Sequence, residues 1–233
     1  MKTAVVIGVG PGLGAAVARR FAREGFRVAL MARNMDKLQE VRTEIENAGG
    51  QAMALETDAV NEQSVSYSFQ QVRDQWGDPE VLIYNVGAFR IQSLLDTSPE
   101  DFVKCWQLNC HGAFLCSREV LPAMQKVGRG TILLTSATAA LRGSARFACL
   151  AVGKFGARAL SQSMAREFGP QGIHIASVIV DGLIDTPRVR EMFPEATTKL
   201  DPDAIADSYW HLYCQDRSAW TQELDLRPAE EQF

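Results

Sequence analysis

Along the chain, short apolar runs alternate with longer segments in which apolar residues recur at helical spacing. The apolar runs predict β-strands at residues 4–7, 27–31, 52–56, 81–84, 131–135 and 173–180. The longer segments predict helices at residues 13–24, 35–48, 62–76, 99–125 and 147–168. A strand–helix alternation of this kind is typical of an α/β fold.

Most of the predicted strands are continuously apolar instead of alternating between apolar and polar residues. Continuous apolar strands are expected in a parallel sheet that helices cover on both faces. The pattern therefore predicts a single Rossmann-like, doubly wound parallel sheet. Because the sequence contains no internal repeat or linker-like stretch, we expect residues 1–233 to form one domain.

The regular alternation stops after Val180, where Gly182, Pro187, Pro194 and Pro202 predict a loop with short helical turns at most. A helix at 203–215 and a last strand at 220–226 are expected to follow. A long irregular stretch after a central strand often forms a lid over a ligand site. Residues 182–215 are therefore a candidate lid, the alternative being a variable surface connection.

Composition narrows the functional classes. The 233 residues are 46% hydrophobic and 22% charged, and the formal charge of −4 offers no basic field for nucleic acid. Five scattered cysteines and three histidines give no motif for a metal site. An odd set of cysteines suits a reducing compartment. With no signal-peptide pattern and no run of about 18 apolar residues to span a membrane, we expect a cytoplasmic protein.

Glycines cluster where the first predicted strand meets the first helix, in the run Gly8-Val9-Gly10-Pro11-Gly12-Leu13-Gly14. Glycines allow a tight turn and let backbone N–H groups approach a phosphate, and the helix N-terminus adds partial positive charge. Because the cluster lies between a strand and a helix, it predicts a dinucleotide-binding loop. The alternative is that the glycines serve the turn alone.

The spacing of these glycines resembles the short-chain dehydrogenase/reductase superfamily, and further matches cover essentially the whole chain. They are Asp58 with Ala59 after the third strand, Asn85 and Gly87 in an NNAG-like motif that begins with Tyr84, Asn109, Ser136, Lys154, and Gly182 with Thr186, where Asp181 replaces the proline of a PG motif. The resemblance implies that a nucleotide's adenine lies near Asp58.

The end of the second strand bears on the choice of nucleotide. NAD-dependent enzymes generally carry an acidic residue there, which binds the ribose hydroxyls, whereas this chain has Ala32-Arg33-Asn34. A guanidinium can hold the 2′-phosphate of NADP through charge-assisted hydrogen bonds. Arg33 therefore favours NADP(H), with NAD as a possible cofactor. The glycine loop has Pro11 where many NADP enzymes place a second basic residue.

The resemblance also implies a catalytic group, and one member of it is missing. The family transfers a proton through a Tyr four residues before the Lys, one helical turn away. The residue four before Lys154 is Leu150, and the four tyrosines (Tyr67, Tyr84, Tyr209 and Tyr213) lie elsewhere in the sequence. The standard acid/base is therefore absent.

Three explanations stay open. In the first, another group supplies the proton, the candidates being Tyr209, Tyr213, His211 and His111. In the second, the substrate needs no strong acid, as when a hydride adds to a conjugated system. In the third, the chain is a nucleotide-binding pseudoenzyme that acts as a sensor or interaction protein.

The resemblance implies catalytic roles for Ser136, Lys154 and Asn109, with Lys154 also contacting the cofactor ribose. Each has a structural alternative: a turn cap for Ser136, a solvated charge for Lys154 and helix geometry for Asn109. The implied activity is NADP(H)-dependent hydride transfer to or from a small carbonyl, alcohol or conjugated substrate. The resemblance further implies a homodimer or homotetramer, joined through the helices at 99–125 and 147–168.

Overall fold

The structure is a computed structural model that describes residues 1–88 and 90–230. Its centre is a seven-stranded, entirely parallel sheet with the strand order β3-β2-β1-β4-β5-β6-β7. The strands are β1 (Thr3–Ile7), β2 (Arg27–Ala32), β3 (Gln51–Glu56), β4 (Val81–Tyr84), β5 (Gly130–Ala137), β6 (Ile173–Val180) and β7 (Glu223–Leu226). This architecture confirms the predicted fold class. The order reverses between β1 and β4, and in such sheets ligands bind at the carboxyl ends of the strands at that point.

Helices cover both faces of the sheet. They are α1 (Leu13–Arg23), α2 (Met35–Asn47), α3 (Glu62–Trp76), α4 (Pro99–Trp106), α5 (Gly112–Val127), α6 (Ala148–Phe168), α7 (Pro187–Met192) and α8 (Pro202–Cys214). Several begin at side chains that accept a hydrogen bond from the first turn, such as Asn34 for α2 and Asn61 for α3. Gly128 ends α5 in the left-handed conformation, which glycine adopts at low cost.

Successive strand residues point to opposite faces, and this divides the interior into two cores. Val6, Leu30 and Ile83 pack toward α1, α2 and α8, and their neighbours Met31 and Leu82 pack toward α3, α5 and α6. These side chains are fully buried. The continuous apolar strands of the sequence thus fill both layers.

The helix predicted at 99–125 is divided in the structure. A π-helical turn at Gln107–His111 separates α4 from α5. The hydroxyl of Tyr84 at the end of β4 donates to the Leu108 carbonyl over 2.7 Å, and so satisfies a carbonyl within this turn. Such turns interrupt long helices and are frequent at functional sites. Apolar periodicity does not show them, because it continues through the turn.

The packing of the C-terminal segment makes the candidate lid shorter than residues 182–215. Helix α8 packs against α1, and its Ile205, Ala206 and Tyr209 are buried in the core. Trp210 and Tyr213 meet Phe21 of α1 edge to face. Moving α8 would expose this apolar surface, so α8 belongs to the core and the lid hypothesis is kept for residues 182–201 alone. Within the described ranges, no helix is both long and apolar enough to cross a membrane.

Candidate functional site

The glycine loop lies at the switch point between β1 and β4, where close backbone contacts hold its shape. Gly8 has φ +90°, and a Cβ there would lie 2.7 Å from the backbone carbon of Asn85. A Cβ on Gly14 would lie 2.5 Å from the Gly8 oxygen, so this glycine lets α1 approach the end of β1. The Asn85 amide donates to the same Gly8 oxygen over 3.1 Å. The sequence predicted both glycines and Asn85, and the structure brings them together.

The outer part of the loop forms an open cradle. A Cβ on Gly10 would meet nothing within 4 Å, and Gly12 begins α1 without any side-chain cap. The Leu13 side chain is buried in the core, so this residue offers a ligand only its backbone. Thr186 reaches the loop from the start of α7, and its methyl carbon lies 2.6 Å from a Cβ placed on Gly12. Uncapped N–H groups beside an open glycine fit a phosphate.

A groove of about 510 Å³ runs from this loop across the carboxyl ends of β1 to β4. Among the residues predicted to bind a cofactor, its lining includes Gly8, Gly10, Arg33, Asp58, Ala59, Asn85 and Gly87. The Asp58 carboxylate accepts from the Val60 N–H over 3.3 Å, which fixes its turn. The size and the polar lining of the groove fit an extended nucleotide.

Two exposed cations line one end of the groove, Arg33 at the end of β2 and Lys37 in the first turn of α2. Neither pairs with an acidic group within residues 1–88 and 90–230. Lys37 is not among the residues that the sequence predicted to bind a cofactor. Asn34 was the available signal, because it is an N-cap residue. The Lys37 N–H donates to the Asn34 side chain over 3.0 Å, so the helix begins directly after Arg33 and Asn34 and has Lys37 in its first turn. The groove therefore offers two cations for a phosphate.

Lys154 and Asn109 converge on Gly87, next to the groove. A Cβ on Gly87 would lie 3.6 Å from Asn109 Oδ1 and 3.8 Å from Lys154 Nζ. The Lys154 ammonium donates to the Thr135 carbonyl over 2.9 Å, and burial lowers the pKa of Lys154 to about 8. A buried ammonium with one carbonyl partner is poised for a further acceptor.

Asn109 lies at the centre of the π-helical turn and joins it to the loop after β4. Its amide donates to the Ala88 carbonyl over 2.7 Å and to the Cys105 carbonyl over 2.9 Å. A Cβ on Gly153 would lie 2.7 Å from Asn109 Cβ, so α6 packs tightly on this turn. The structure thus gives Asn109 a positioning role between α4, α6 and the groove.

Ser136 and Leu150 complete the group that the resemblance implies. Ser136 is 4% exposed, and its hydroxyl has no hydrogen-bond partner among the described residues. Leu150 is half-buried on α6, one turn before Lys154 and on the same face of the helix. Asn109, Ser136, Leu150 and Lys154 are not part of the lining of the groove itself.

The structure excludes the relocated acids proposed among the tyrosines. Tyr213 donates to Glu80 and contacts Lys2 at the opposite end of the sheet, where the strands begin. Tyr209 is fully buried, its hydroxyl bonds Thr135 Oγ1 over 2.6 Å, and burial raises its pKa. These two expectations were wrong, because α8 packs as core and does not fold over the site.

The two candidate histidines differ in placement. His111 lies between Trp106 and Phe114, with ring centroids 5.6 and 6.2 Å away, and its Nδ1 is buried without a partner in the described chain. His211 is exposed on α8. Neither is part of the lining of the groove.

Asp181, which replaces the expected proline, is buried at the end of β6. Its carboxylate accepts a hydrogen bond from the Thr138 hydroxyl and lies 3.6 Å from the Arg227 guanidinium. The next residue, Gly182, is packed against Leu200 and Pro228. The ends of β5, β6 and β7 are therefore tied together through one carboxylate.

Comparisons with known proteins agree with this geometry. The model of the short chain dehydrogenase family matches residues 2–197. Sorbitol-6-phosphate 2-dehydrogenase of Escherichia coli is 33% identical over 213 residues, which cover 89% of this chain and 82% of that protein.

Two solved structures extend the likeness to the fold. A short-chain dehydrogenase from Rhodopseudomonas palustris is 41% identical with a TM-score of 0.86, over 97% of this chain and 98% of that one. A metagenomic short-chain oxidoreductase in complex with NADP is 28% identical, also with a TM-score of 0.86, over 99% of this chain and 98% of that one.

Proposed function

Because the chain belongs to the short-chain dehydrogenase family, we propose that it is an NADP(H)-dependent oxidoreductase acting on a small carbonyl, alcohol or conjugated substrate. One observation carries the proposal: the open glycine cradle continues into a groove that ends beside the buried ammonium of Lys154. A bound nicotinamide nucleotide would supply or accept the hydride there. The phosphates would lie on Gly10 and Gly12, and the adenine near Asp58 and Ala59.

The preference for NADP(H) follows from Arg33 and Lys37. Both are exposed cations at the ribose end of the groove, and Arg33 stands where an acid would repel a 2′-phosphate. The crystallised metagenomic relative in complex with NADP is consistent with this assignment. NAD would occupy the same groove without using these charges.

The remaining members of the group receive proposed roles. Lys154 would hold the hydroxyls of the nicotinamide ribose, Asn109 would position the loop that ends in Ala88, and Ser136 would offer its free hydroxyl to the ligand. Gly182 and Thr186 would lie along the cofactor's pyrophosphate and nicotinamide side. Because Leu150 cannot transfer a proton, the acid/base is a group other than the family's tyrosine.

A second function is favoured by Leu150 itself. A chain that retains the nucleotide groove and lacks the acid would serve as a nucleotide-binding pseudoenzyme, a sensor or an interaction protein. Loss of a general acid typically costs about 10²–10⁴ in rate. The two functions share the cofactor and differ in turnover.

We further propose that the chain is a homodimer or homotetramer. Large apolar side chains are exposed along two neighbouring helical faces, Val103, Trp106 and Phe114 on α4 and α5, and Val152 and Phe155 on α6. An apolar face of this kind marks a protein interface. Residues 182–201 would close over a bound substrate, and the cytoplasmic location stays a prediction.

The cofactor proposal is tested by titrating the protein with NADPH and with NADH and following nucleotide fluorescence. We expect tighter binding of NADPH by about 10- to 100-fold, from charge-assisted contacts of about 1.5–3 kcal/mol. Arg33→Ala and Lys37→Ala should each remove part of this preference and leave NADH affinity unchanged.

Lys126→Ala, which removes an exposed charge at the far end of α5, is the matched control. Equal affinities for the two nucleotides in the unmutated protein would contradict the roles of Arg33 and Lys37. The absence of binding by either nucleotide would contradict the cofactor proposal as a whole.

A further inference from the structure

The missing tyrosine leaves open which group moves the substrate proton, and the ends of β5 and β6 supply a pair that fits. The sheet register places Ala137 opposite Val180 at the ends of the two strands, so Thr138 and Asp181 directly follow them. The Thr138 hydroxyl donates to Asp181 Oδ1. We infer that Thr138 and Asp181 form a proton relay that replaces the absent tyrosine in the proposed oxidoreductase reaction.

The two residues differ in exposure in the way that a relay requires. Thr138 is half-buried, so its hydroxyl can meet a substrate. The Asp181 side chain is 8% exposed, and it accepts the hydrogen bond from the Thr138 hydroxyl. A buried carboxylate behind an accessible hydroxyl can accept a proton without contacting the substrate.

The location of the pair agrees with the rest of the site. Lys154 binds the carbonyl of Thr135, three residues before Thr138, which directly follows β5. Three residues of chain span at most about 10 Å. Ligands of open α/β sheets bind at the carboxyl ends of the strands, where β5 and β6 both end. The relay therefore lies at the same edge of the sheet as the proposed cofactor groove.

Asp181 has a cation beside it. The Arg227 guanidinium lies 3.6 Å from its carboxylate and also pairs with Asp225 of β7.

In alcohol oxidation, a bound oxidised cofactor would accept the hydride from the substrate C–H bond, while the substrate O–H proton passes to Thr138 Oγ1. The original Thr138 proton passes to Asp181 Oδ1, and the products are a carbonyl compound, the reduced cofactor and a protonated Asp181. Solvent then takes up this proton. Carbonyl reduction runs through the same atoms in reverse.

The inference rests on the proposed function, and kinetics test it on a panel of secondary alcohols with NADP⁺ and ketones with NADPH. Asp181→Asn keeps the shape and the hydrogen bond from Thr138 but cannot accept a proton, so kcat should fall about 10²–10³-fold. In Thr138→Val, kcat should fall by the same factor, whereas Thr138→Ser, which keeps a hydroxyl, should retain most of the unmutated rate. The limb of the kcat pH profile that reports the base should disappear in Asp181→Asn.

Asp225→Asn is the matched control, because it changes the other carboxylate on Arg227 and leaves Thr138 untouched. Its kcat should stay within about threefold of the unmutated rate. Equal losses of rate and of thermal stability in Asp181→Asn and Asp225→Asn would overturn the relay in favour of a purely structural cluster. An unchanged kcat and pH profile in Asp181→Asn would also overturn it.

A second readout needs no cofactor. Carbon NMR of the isolated protein should show a changed chemical shift of the Asp181 carboxyl carbon in Thr138→Val, because that variant removes the hydrogen bond that the Thr138 hydroxyl donates. An unchanged chemical shift would contradict the contact on which the relay depends.

Nucleotide titration separates the two proposals. If the protein does not bind NADPH, the proposed function fails. If it binds NADPH and turns over no compound in the panel, the relay is overturned and the pseudoenzyme function is favoured.

Discussion

Charged and polar groups are paired at one end of the sheet around Glu80 and lack partners at the other end. Where the strands begin, Glu80 accepts hydrogen bonds from Lys2, Arg129 and Tyr213, at distances of 2.9, 2.6 and 2.6 Å. Burial by itself raises the pKa of Glu80, but the hydrogen bonds from Tyr213 and Lys2 and the nearby cations outweigh it and lower the pKa below its ordinary value. Both oxygens of the Glu80 carboxylate are thus paired.

Where the strands end, polar groups lack such partners. Lys154 is buried with one carbonyl, the Ser136 hydroxyl has no partner in the described part of the chain, and Arg33 faces the groove. Unsatisfied buried polar groups cost free energy, and they persist where a ligand completes them. The paired groups around Glu80 therefore serve stability, whereas the groups at the carboxyl ends of the strands are arranged for a ligand.

The largest test of this comparison is Leu150→Tyr, which places a phenol one turn before Lys154. The nearby ammonium would lower the pKa of the phenol and so restore the family's acid. If the chain has no working acid, as in the pseudoenzyme function, ketone reduction with NADPH should rise by up to about 10²–10⁴-fold, measured as kcat against the unmutated chain. If the Thr138–Asp181 relay operates, kcat should change little or fall.

Leu150→Phe adds similar bulk without the hydroxyl and is the control for this substitution. Activity that is high in the unmutated chain and falls in both variants would show that a different acid already operates. Inactivity in all three proteins, with intact NADPH binding, would favour the pseudoenzyme.

Lys154→Met sharpens the same comparison through stability. In the folded state the pKa of Lys154 is lowered to about 8, so burying its charge costs stability at neutral pH. We expect the variant to gain roughly 1–3 kcal/mol in the free energy of unfolding at pH 7 and to lose about tenfold in NADPH affinity.

The stability gained in Lys154→Met should depend on pH in a defined direction. Between about pH 8 and 10.5 the unfolded chain holds the Lys154 proton more tightly than the folded chain, so the unmutated protein becomes more stable as pH rises. The advantage of Lys154→Met should therefore shrink over that range in denaturant titrations. A constant advantage from pH 7 to 10.5 would mean that the lysine is solvated.

The smallest effect is expected for Glu80→Gln, at the end of the sheet where the strands begin. Losing the charge of the shared acceptor should destabilise the protein by about 1–2 kcal/mol and leave NADPH affinity unchanged. Because the folded-state pKa is lowered, the contribution of Glu80 is present above about pH 4.5 and is lost as pH falls through the folded pKa.

Thermal melts at pH 7 and at pH 3.5 would measure this contribution, and the difference between Glu80→Gln and the unmutated protein should narrow at the lower pH. Arg129→Ala is the control, since that side chain is 66% exposed and its loss should cost less than about 0.5 kcal/mol. A large loss of nucleotide affinity in Glu80→Gln would break the separation between the two ends.

Much of the fold was predictable because its signals are local. Apolar runs mark strands, and the residues that begin and end helices are read from a few positions, such as Asn34 before α2 and Gly128 after α5. The glycine loop was predictable for the same reason, since its chemistry depends on residues that are consecutive in the chain.

The errors came from contacts between residues distant in sequence. Tyr209 and Tyr213 were candidate acids because nothing local shows that α8 packs on α1. This packing buries the Tyr209 hydroxyl against Thr135 and places the Tyr213 hydroxyl beside Glu80. The π-helical turn was missed because the Tyr84 hydroxyl that binds Leu108 comes from another element.

The sequence by itself determined the fold class, the glycine loop and the leucine four residues before Lys154, since each depends on residue type and spacing along the chain. Only the tertiary structure decided which charges are paired. It placed Lys37 beside Arg33 in the groove, buried Lys154 against Thr135, and joined Thr138 to Asp181. The physical reason is that burial and hydrogen-bond partnership depend on which strands and helices become neighbours, and these contacts join residues far apart in the chain.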